Sequence, residues 1–221
     1  IYVFWHVWNI VPLHNWLKFI LLVLLSLGFI SLLVGFGAGL DKMPMPLATG
    51  VYEFGTSSVF VLLYAVMLFL LLDMGRLAHL VPKHFVYNSL LGTLTVLGVL
   101  LAVFVYGNIH YNNKVRQELH LNTSKHLDKP LKVVMISDLH LGYHNRRAEF
   151  ARWVDLINAE RPDLVLIAGD IIDISVRPLL EEHVAEEFRR IKVPIYACLG
   201  NHEYYSGDAN AEKFYRDANI N

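Results

Sequence analysis

Three short motifs in the second half of the chain gather residues able to hold metal ions. Asp138-Leu139-His140 is followed by Gly169-Asp170 and then by Gly200-Asn201-His202-Glu203. Carboxylate and amide oxygens with imidazole nitrogens are hard to borderline ligands, which suit Mn²⁺, Fe, Zn²⁺ or Mg²⁺ better than a thiolate-seeking metal. Asp138 and His140 are two residues apart, so in an extended segment both side chains point the same way and reach one ion. Asp170 offers two oxygens and is able to bridge two ions. Gly169 and Gly200 allow sharp turns that bring ligands close to a bound anion. A pair of ions about 3.5–4 Å apart clamps a phosphoryl group, acidifies a bound water and stabilises the leaving oxygen. Singly, each motif has an ordinary explanation as loop, turn or helix cap. Their joint occurrence favours the metal reading.

Each motif directly follows a stretch that reads as a β-strand. Residues 131–137, 164–168 and 193–199 are short, β-rich and apolar. Between them, residues 148–160 show helical spacing of Phe150, Trp153, Val154, Leu156 and Ile157. Residues 179–191 read as one helix with Leu180, Val184, Phe188 and Ile191 on a single face, and 211–217 as a further helix. Strands that alternate with helices and are apolar along their length predict a parallel sheet with helices on its faces. Ligands bind beyond the carboxyl ends of such strands, so all three motifs fall on one sheet edge. Cys198, inside the third strand, is expected in the core.

The two halves of the chain require different solvents. Through Asn113 the charged residues are Lys18, Asp41, Lys42, Glu53, Asp73, Arg76 and Lys83, which is 7 of 39 formal charges; the other 108 residues carry 32. The mean hydropathy of +0.41 therefore averages an apolar half and a polar one. Residues 16–40, 51–72 and 87–106 are each long enough to cross a bilayer, which takes roughly 20 apolar residues. Residues 1–10 are too short and read as the tail of an earlier helix, with Trp5, Trp8 and Trp16 near an interface. Residues 41–46 contain Pro44 and Pro46 and read as a loop. His6, His14, His79, His84 and Asp73 flank the apolar runs and are read as interfacial.

The division that follows is a membrane region over 1–111 (a partial helix plus three spans), a polar linker over 112–130 and an α/β domain over 131–221. The polar part holds 15 Lys+Arg against 17 Asp+Glu with no basic stripe, which argues against nucleic acid as a partner. The lone Cys198 rules out an internal disulfide.

Asp-x-His, then Gly169-Asp170-Ile171-Ile172-Asp173, then Gly-Asn-His-Glu, in this order at strand ends, resembles the calcineurin-like metallophosphoesterase superfamily over residues 131–221. With the apolar runs in front, the chain is similar to membrane-anchored bacterial members, some of which hydrolyse UDP-diacylglucosamine in lipid A synthesis. The fold implied is a multi-helix transmembrane region followed by the first half of an α/β metallophosphoesterase domain. The resemblance implies two divalent metal ions, with Asp138 and His140 on the first, Asp170 bridging both and Asn201 on the second. It implies His202 as a catalytic residue beside the phosphate, and Asp173 as a supporting residue rather than a ligand. Members complete their site with a later His and a Gly-His-x-His motif. Neither occurs before Asn221, so the chain is expected to be an N-terminal fragment whose site is incomplete and inactive alone.

The expected function is a membrane-anchored, metal-dependent phosphoesterase acting on a phosphomonoester, phosphodiester or pyrophosphate bond. Its partners would be the lipid bilayer and a phosphoester substrate, which anchoring makes a candidate for lipid linkage. The alternative is a non-catalytic membrane protein whose α/β domain only binds a ligand. Lys18, Arg76 and Lys83 lie on one side of the predicted spans, against Lys42, Lys114, Arg116 and Lys125 on the other. That balance of four to three leans towards a cytoplasmic polar domain, and the resemblance implies an anchor in the bacterial cytoplasmic membrane. Arg146, Arg147 and His144 read as a solvated loop and His183 as part of an exposed helix face. Tyr204 and Tyr205 read as pocket mouth or surface.

Overall fold

The apolar runs become helices because a chain in hydrocarbon must satisfy every backbone N–H and C=O internally. In the computed structural model, which describes residues 1–37 and 39–221, α1 (Tyr2–Ile10) and α2 (Asn15–Gly37) precede a 3₁₀ turn at Leu40–Lys42. α3 (Met45–Leu77), α4 (Lys83–Val86) and α5 (Leu90–Asn112) follow. α2, α3 and α5 are long and apolar enough to cross a membrane. Of the expected 16–40 run, Ala38 lies outside the described residues. α3 starts inside the expected 41–46 loop. Pro46 falls in its first turn, where the missing N–H costs no helical bond.

The chain divides into two compact units. One is built from the residues ahead of Gly39 together with Phe54–Leu121; the other joins Gly39–Glu53 to Asn122–Asn221. In the first, small residues bring α2 and α3 together. A Cβ at Gly28 would fall 2.1 Å from Ser58 Oγ, and one at Gly55 2.6 Å from the Leu32 nitrogen. Such close approach is how membrane helices associate when lipid removes the hydrophobic drive. α1 packs Val3 and Ile10 with Ala65, Phe69 and Val96. His6 was expected at an interface, but it is buried and stacks on Phe69. Its Nε2 lies 3.0 Å from Asp73 Oδ2, which also accepts from Tyr2 Oη at 2.7 Å.

In the second unit β1 (Val133–Ile136), α6 (Arg147–Ala159), β2 (Leu164–Ala168), α7 (Arg177–Glu181), α8 (Ala185–Phe188), β3 (Ile195–Cys198), α9 (Asn201–Ser206) and α10 (Asp208–Asp217) follow in order. The sheet is parallel with order β1-β2-β3. Ile136 pairs with Ile167, and Ala168 with Cys198, so the carboxyl ends are level. Val165, Ile167 and Ile195 face a core completed by Phe150, Val154, Leu179, Phe188 and Phe214 from the helices. The opposite face is open: Met135 is 68% exposed, Tyr196 50% and Leu166 38%. Cys198 was expected in the core, yet it is exposed, because the alternation of the pleat turns it to this open face.

The single helix expected over 179–191 is two short helices, α7 and α8. His183 between them has φ +55°, which ends α7. The break shifts the register, so Leu179 is buried and Leu180 is 53% exposed, the reverse of the periodic reading. His144 and Arg146 are exposed, as expected of a solvated loop, and ion pairs tie the region down as well. Arg146 pairs with Glu182, and Arg147 donates from Nε to Glu187 at 2.9 Å and from Nη2 to Glu186 at 2.8 Å.

Burial acts to raise the Glu187 carboxyl, but hydrogen bonds from Arg190 and Arg147 outweigh it and hold the group below its ordinary 4.5. Asp163 is likewise lowered, by the Lys132 backbone N–H and by Lys129. A depressed carboxyl stabilises the fold above its unfolded pKa and loses that contribution as pH falls through the folded value. The urea midpoint of the α/β unit should therefore fall on acidification below the ordinary glutamate value of 4.5. Glu187→Gln should lower the midpoint at pH 7 and shrink the difference between pH 7 and pH 4.

Candidate metal centre

Each predicted ligand sits just past the end of a strand, and the backbone there departs from extended geometry. Asp138 has φ +55°, His140 +42° and Asp170 +54°, with Gly169 at +79°. Non-glycine residues enter this left-handed region at a steric cost, and such strain gathers at functional sites. The extended-chain argument for Asp138 and His140 is therefore corrected: both are left-handed, and the neighbouring loop orients them instead. The His140 N–H donates to the Asp170 carbonyl at 2.9 Å, and the Leu141 N–H to the Ile171 carbonyl at 2.8 Å. In return the Asp173 N–H donates to the Leu141 carbonyl at 2.9 Å. The loops after β1 and β2 thus run side by side.

The loop after β3 joins them through glycine. A Cβ at Gly169 would stand 2.9 Å from the Gly200 Cα, and a Cβ at Gly200 would stand 2.2 Å from Asp170 Oδ1. Only glycine at both positions lets the two loops touch backbone to backbone. Asp170 Oδ1 then accepts from the His202 N–H at 3.0 Å.

Glu203 ties the arrangement together. Its side chain is fully buried. Oε2 accepts from the Asp170 N–H at 3.0 Å and the Gly200 N–H at 2.7 Å, and Oε1 accepts from the Ile172 N–H at 2.9 Å. The bond to Gly200 is the half of a capping box that a glycine N-cap permits, since Glu203 is the third residue of α9. The sequence motif includes Glu203 without marking its role. The signal was its place three residues after Gly200, where a glutamate reaches back to a helix start.

Asp138, His140 and Asp170 each bring a ligand atom to within 4.8 Å of the others. A second such group, His140, Asp173 and His202, shares His140 with the first. Asp173, expected as a supporting residue, is buried, with Oδ1 3.3 Å from His202 Nδ1 and 3.9 Å from His140 Nδ1. The His140 and His202 rings meet edge to face at 4.4 Å. Asn201 opens α9 and is exposed just past the end of β3. Tyr205 lies against His202 at 5.4 Å between ring centres, and Tyr204 is exposed.

The donor set fits a cation on two counts. Three carboxyl groups converge on two imidazoles, a concentration of negative charge that a divalent ion offsets. His140 Nδ1 is also buried with no hydrogen-bond partner, an uncompensated cost unless something ligates it.

Residues 131–221 match the family model of the calcineurin-like phosphoesterases. This part of the chain is a calcineurin-like phosphoesterase domain. An uncharacterized metallophosphoesterase of Campylobacter jejuni is 32% identical over 126 residues, which cover 55% of this chain and 33% of that protein. A zebrafish (Danio rerio) transmembrane protein with a metallophosphoesterase domain is 38% identical over 80 residues, or 35% of this chain and 18% of the relative. Its cattle (Bos taurus) counterpart is 34% identical over 80 residues, or 36% and 18%. The chain thus spans a third or less of the length of these curated relatives. No solved structure matches it significantly. Three helices able to cross a membrane followed by this domain, together with relatives described as transmembrane, support a membrane location.

Proposed function

We propose that this chain belongs to a membrane-anchored phosphoesterase that uses two divalent metal ions, with a membrane region over 1–111, a linker over 112–130 and the phosphoesterase domain over 131–221. The observation that carries the reading is the convergence of Asp138, His140 and Asp170 at one sheet edge. Asp138 and His140 would hold one ion, Asn201 the other, and Asp170 both. When bound, such ions supply positive charge for a phosphoryl group and lower the pKa of a bound water.

The chain's own residues do the rest. A carbonyl oxygen only accepts, so the 3.0 Å contact between His202 Nδ1 and the Asp173 carbonyl requires a proton on Nδ1. Nε2 is then the working nitrogen, with a lone pair when the ring is neutral and a proton to give to a leaving oxygen when it is charged. Glu203 holds the loops carrying Asp170 and Gly200 in register, so the ligands meet without reorganisation.

Three crossings would leave the turn between α2 and α3 on the same side as the phosphoesterase domain, and the lysine and arginine balance favours the cytoplasmic side of a bacterial membrane for both. Anchoring favours a lipid-linked phosphoester among substrates. The test uses purified protein containing this chain in lipid nanodiscs, with bis(p-nitrophenyl) phosphate and p-nitrophenyl phosphate as probes. Hydrolysis should need Mn²⁺, stop on chelation and return when Mn²⁺ is restored. Hydrolysis indifferent to chelation, or none with any divalent ion, would contradict the reading; the latter would favour a ligand-binding domain.

A further inference from the structure

The turn between the first two membrane-spanning helices belongs to the same compact unit as the phosphoesterase domain, since that unit contains Gly39–Glu53. Two polar anchors seat it. The Asp41 carboxylate accepts from Tyr143 Oη at 2.9 Å and from Ser175 Oγ at 2.7 Å. The Arg177 guanidinium donates to the carbonyls of Asp41 at 2.9 Å and Met43 at 2.7 Å. Beneath them Leu40, Ala48 and Tyr143 form a small buried cluster, with Val51, Tyr52 and Ile174 packed on it. Tyr143 and Ser175 flank the loops of the candidate metal centre, so the turn is fixed directly beside that centre.

The seated segment ends on Tyr52, in the opening turns of α3, and the Tyr52 hydroxyl donates to Asp173 Oδ2. The other oxygen of the same carboxylate faces His202 and His140. Asp173 is buried, so its carboxylate has few other partners to choose from and its orientation is set by these contacts. We propose that Tyr52 is a positioning residue of the metal centre, acting through Asp173 to orient His202 and His140. α3 continues beyond Glu53 into the apolar unit, and its 33 residues exceed the roughly 20 that a bilayer core requires. A membrane helix therefore supplies part of the support for the phosphoesterase site.

The inference rests on the metal-centre reading, and its test separates the two. The protein containing this chain is labelled with ¹⁵N-histidine in nanodiscs, and the ring signals of His140 and His202 are assigned by substitution. Without metal, Tyr52→Phe should shift the His202 ring signals, as should Asp173→Asn. In Mn²⁺ titrations Tyr52→Phe should weaken binding about 10–100-fold, the usual cost of losing a partner that orients a ligand. The double substitution should bind no more weakly than Asp173→Asn alone, because Tyr52 acts through that carboxylate. If Tyr52→Phe fails to fold, Asp41→Asn loosens the turn while keeping the hydroxyl, and it should shift the same ring signals. Unchanged ring signals in these variants, or additive losses, would overturn the proposal. A wild-type protein that binds no Mn²⁺ would sink the metal reading, while the metal-free ring signals would still decide the role of Tyr52.

Discussion

Glu203→Ala should destabilise the phosphoesterase domain by about 3–5 kcal/mol, read as a fall in the urea midpoint followed by pulse proteolysis. The magnitude comes from three backbone N–H groups, that of buried Ile172 and those of half-buried Asp170 and Gly200, which share the two Glu203 oxygens. A buried donor left unpaired costs about 1–3 kcal/mol, and water entering the space vacated by the side chain recovers part of the sum. Glu203→Gln should fall between the two, because the amide keeps one acceptor oxygen and turns an NH₂ towards a backbone donor. Fully buried as it is, Glu203 has no route to solvent that would let it relax. A neutral effect of Glu203→Ala would mean that the loops after β2 and β3 are held by something other than this carboxyl.

The strands and their ends were legible because three apolar runs separated by helical patterns leave little choice of topology. The motifs mark where each strand stops. β2 coincides with the predicted run, and β1 and β3 lie inside theirs. The covered and open faces were not legible. A strand that is apolar on both sides reads as buried on both, and Met135, Leu166 and Cys198 carry no sign of which face the helices take. The break at His183 was hidden because Leu179 and Leu180 are adjacent leucines, and either satisfies a helical period. The left-handed backbone of Asp138, His140 and Asp170 runs against local preference, which is why an extended geometry was the natural expectation. Tyr52 was out of reach for a different reason: 121 positions separate it from Asp173, and nothing in its surroundings marks it.

The second large effect is expected at Asp170. Its backbone N–H is held by Glu203, and Oδ1 accepts from the His202 N–H at 3.0 Å. The same side chain also lies with Asp138 and His140 in one ligand group. Asp170→Ala removes the only side chain in that group proposed to serve both ions. The loss in Mn²⁺ affinity should exceed the roughly 100-fold that removal of an orienting partner costs. Asp170→Asn keeps the acceptor for His202 and removes the charge, so it should retain the fold while losing the metal. That contrast separates a ligand from a merely structural carboxylate.

A Mn²⁺ titration of the purified wild-type protein and of Asp170→Asn, followed by electron paramagnetic resonance, tests the centre most directly. The wild-type protein should bind Mn²⁺ in competition with Mg²⁺ or Zn²⁺, and the folded variant should bind more than about 100-fold more weakly. Equal binding by the two proteins, or no binding by the wild type, would contradict a metal centre built on Asp138, His140 and Asp170.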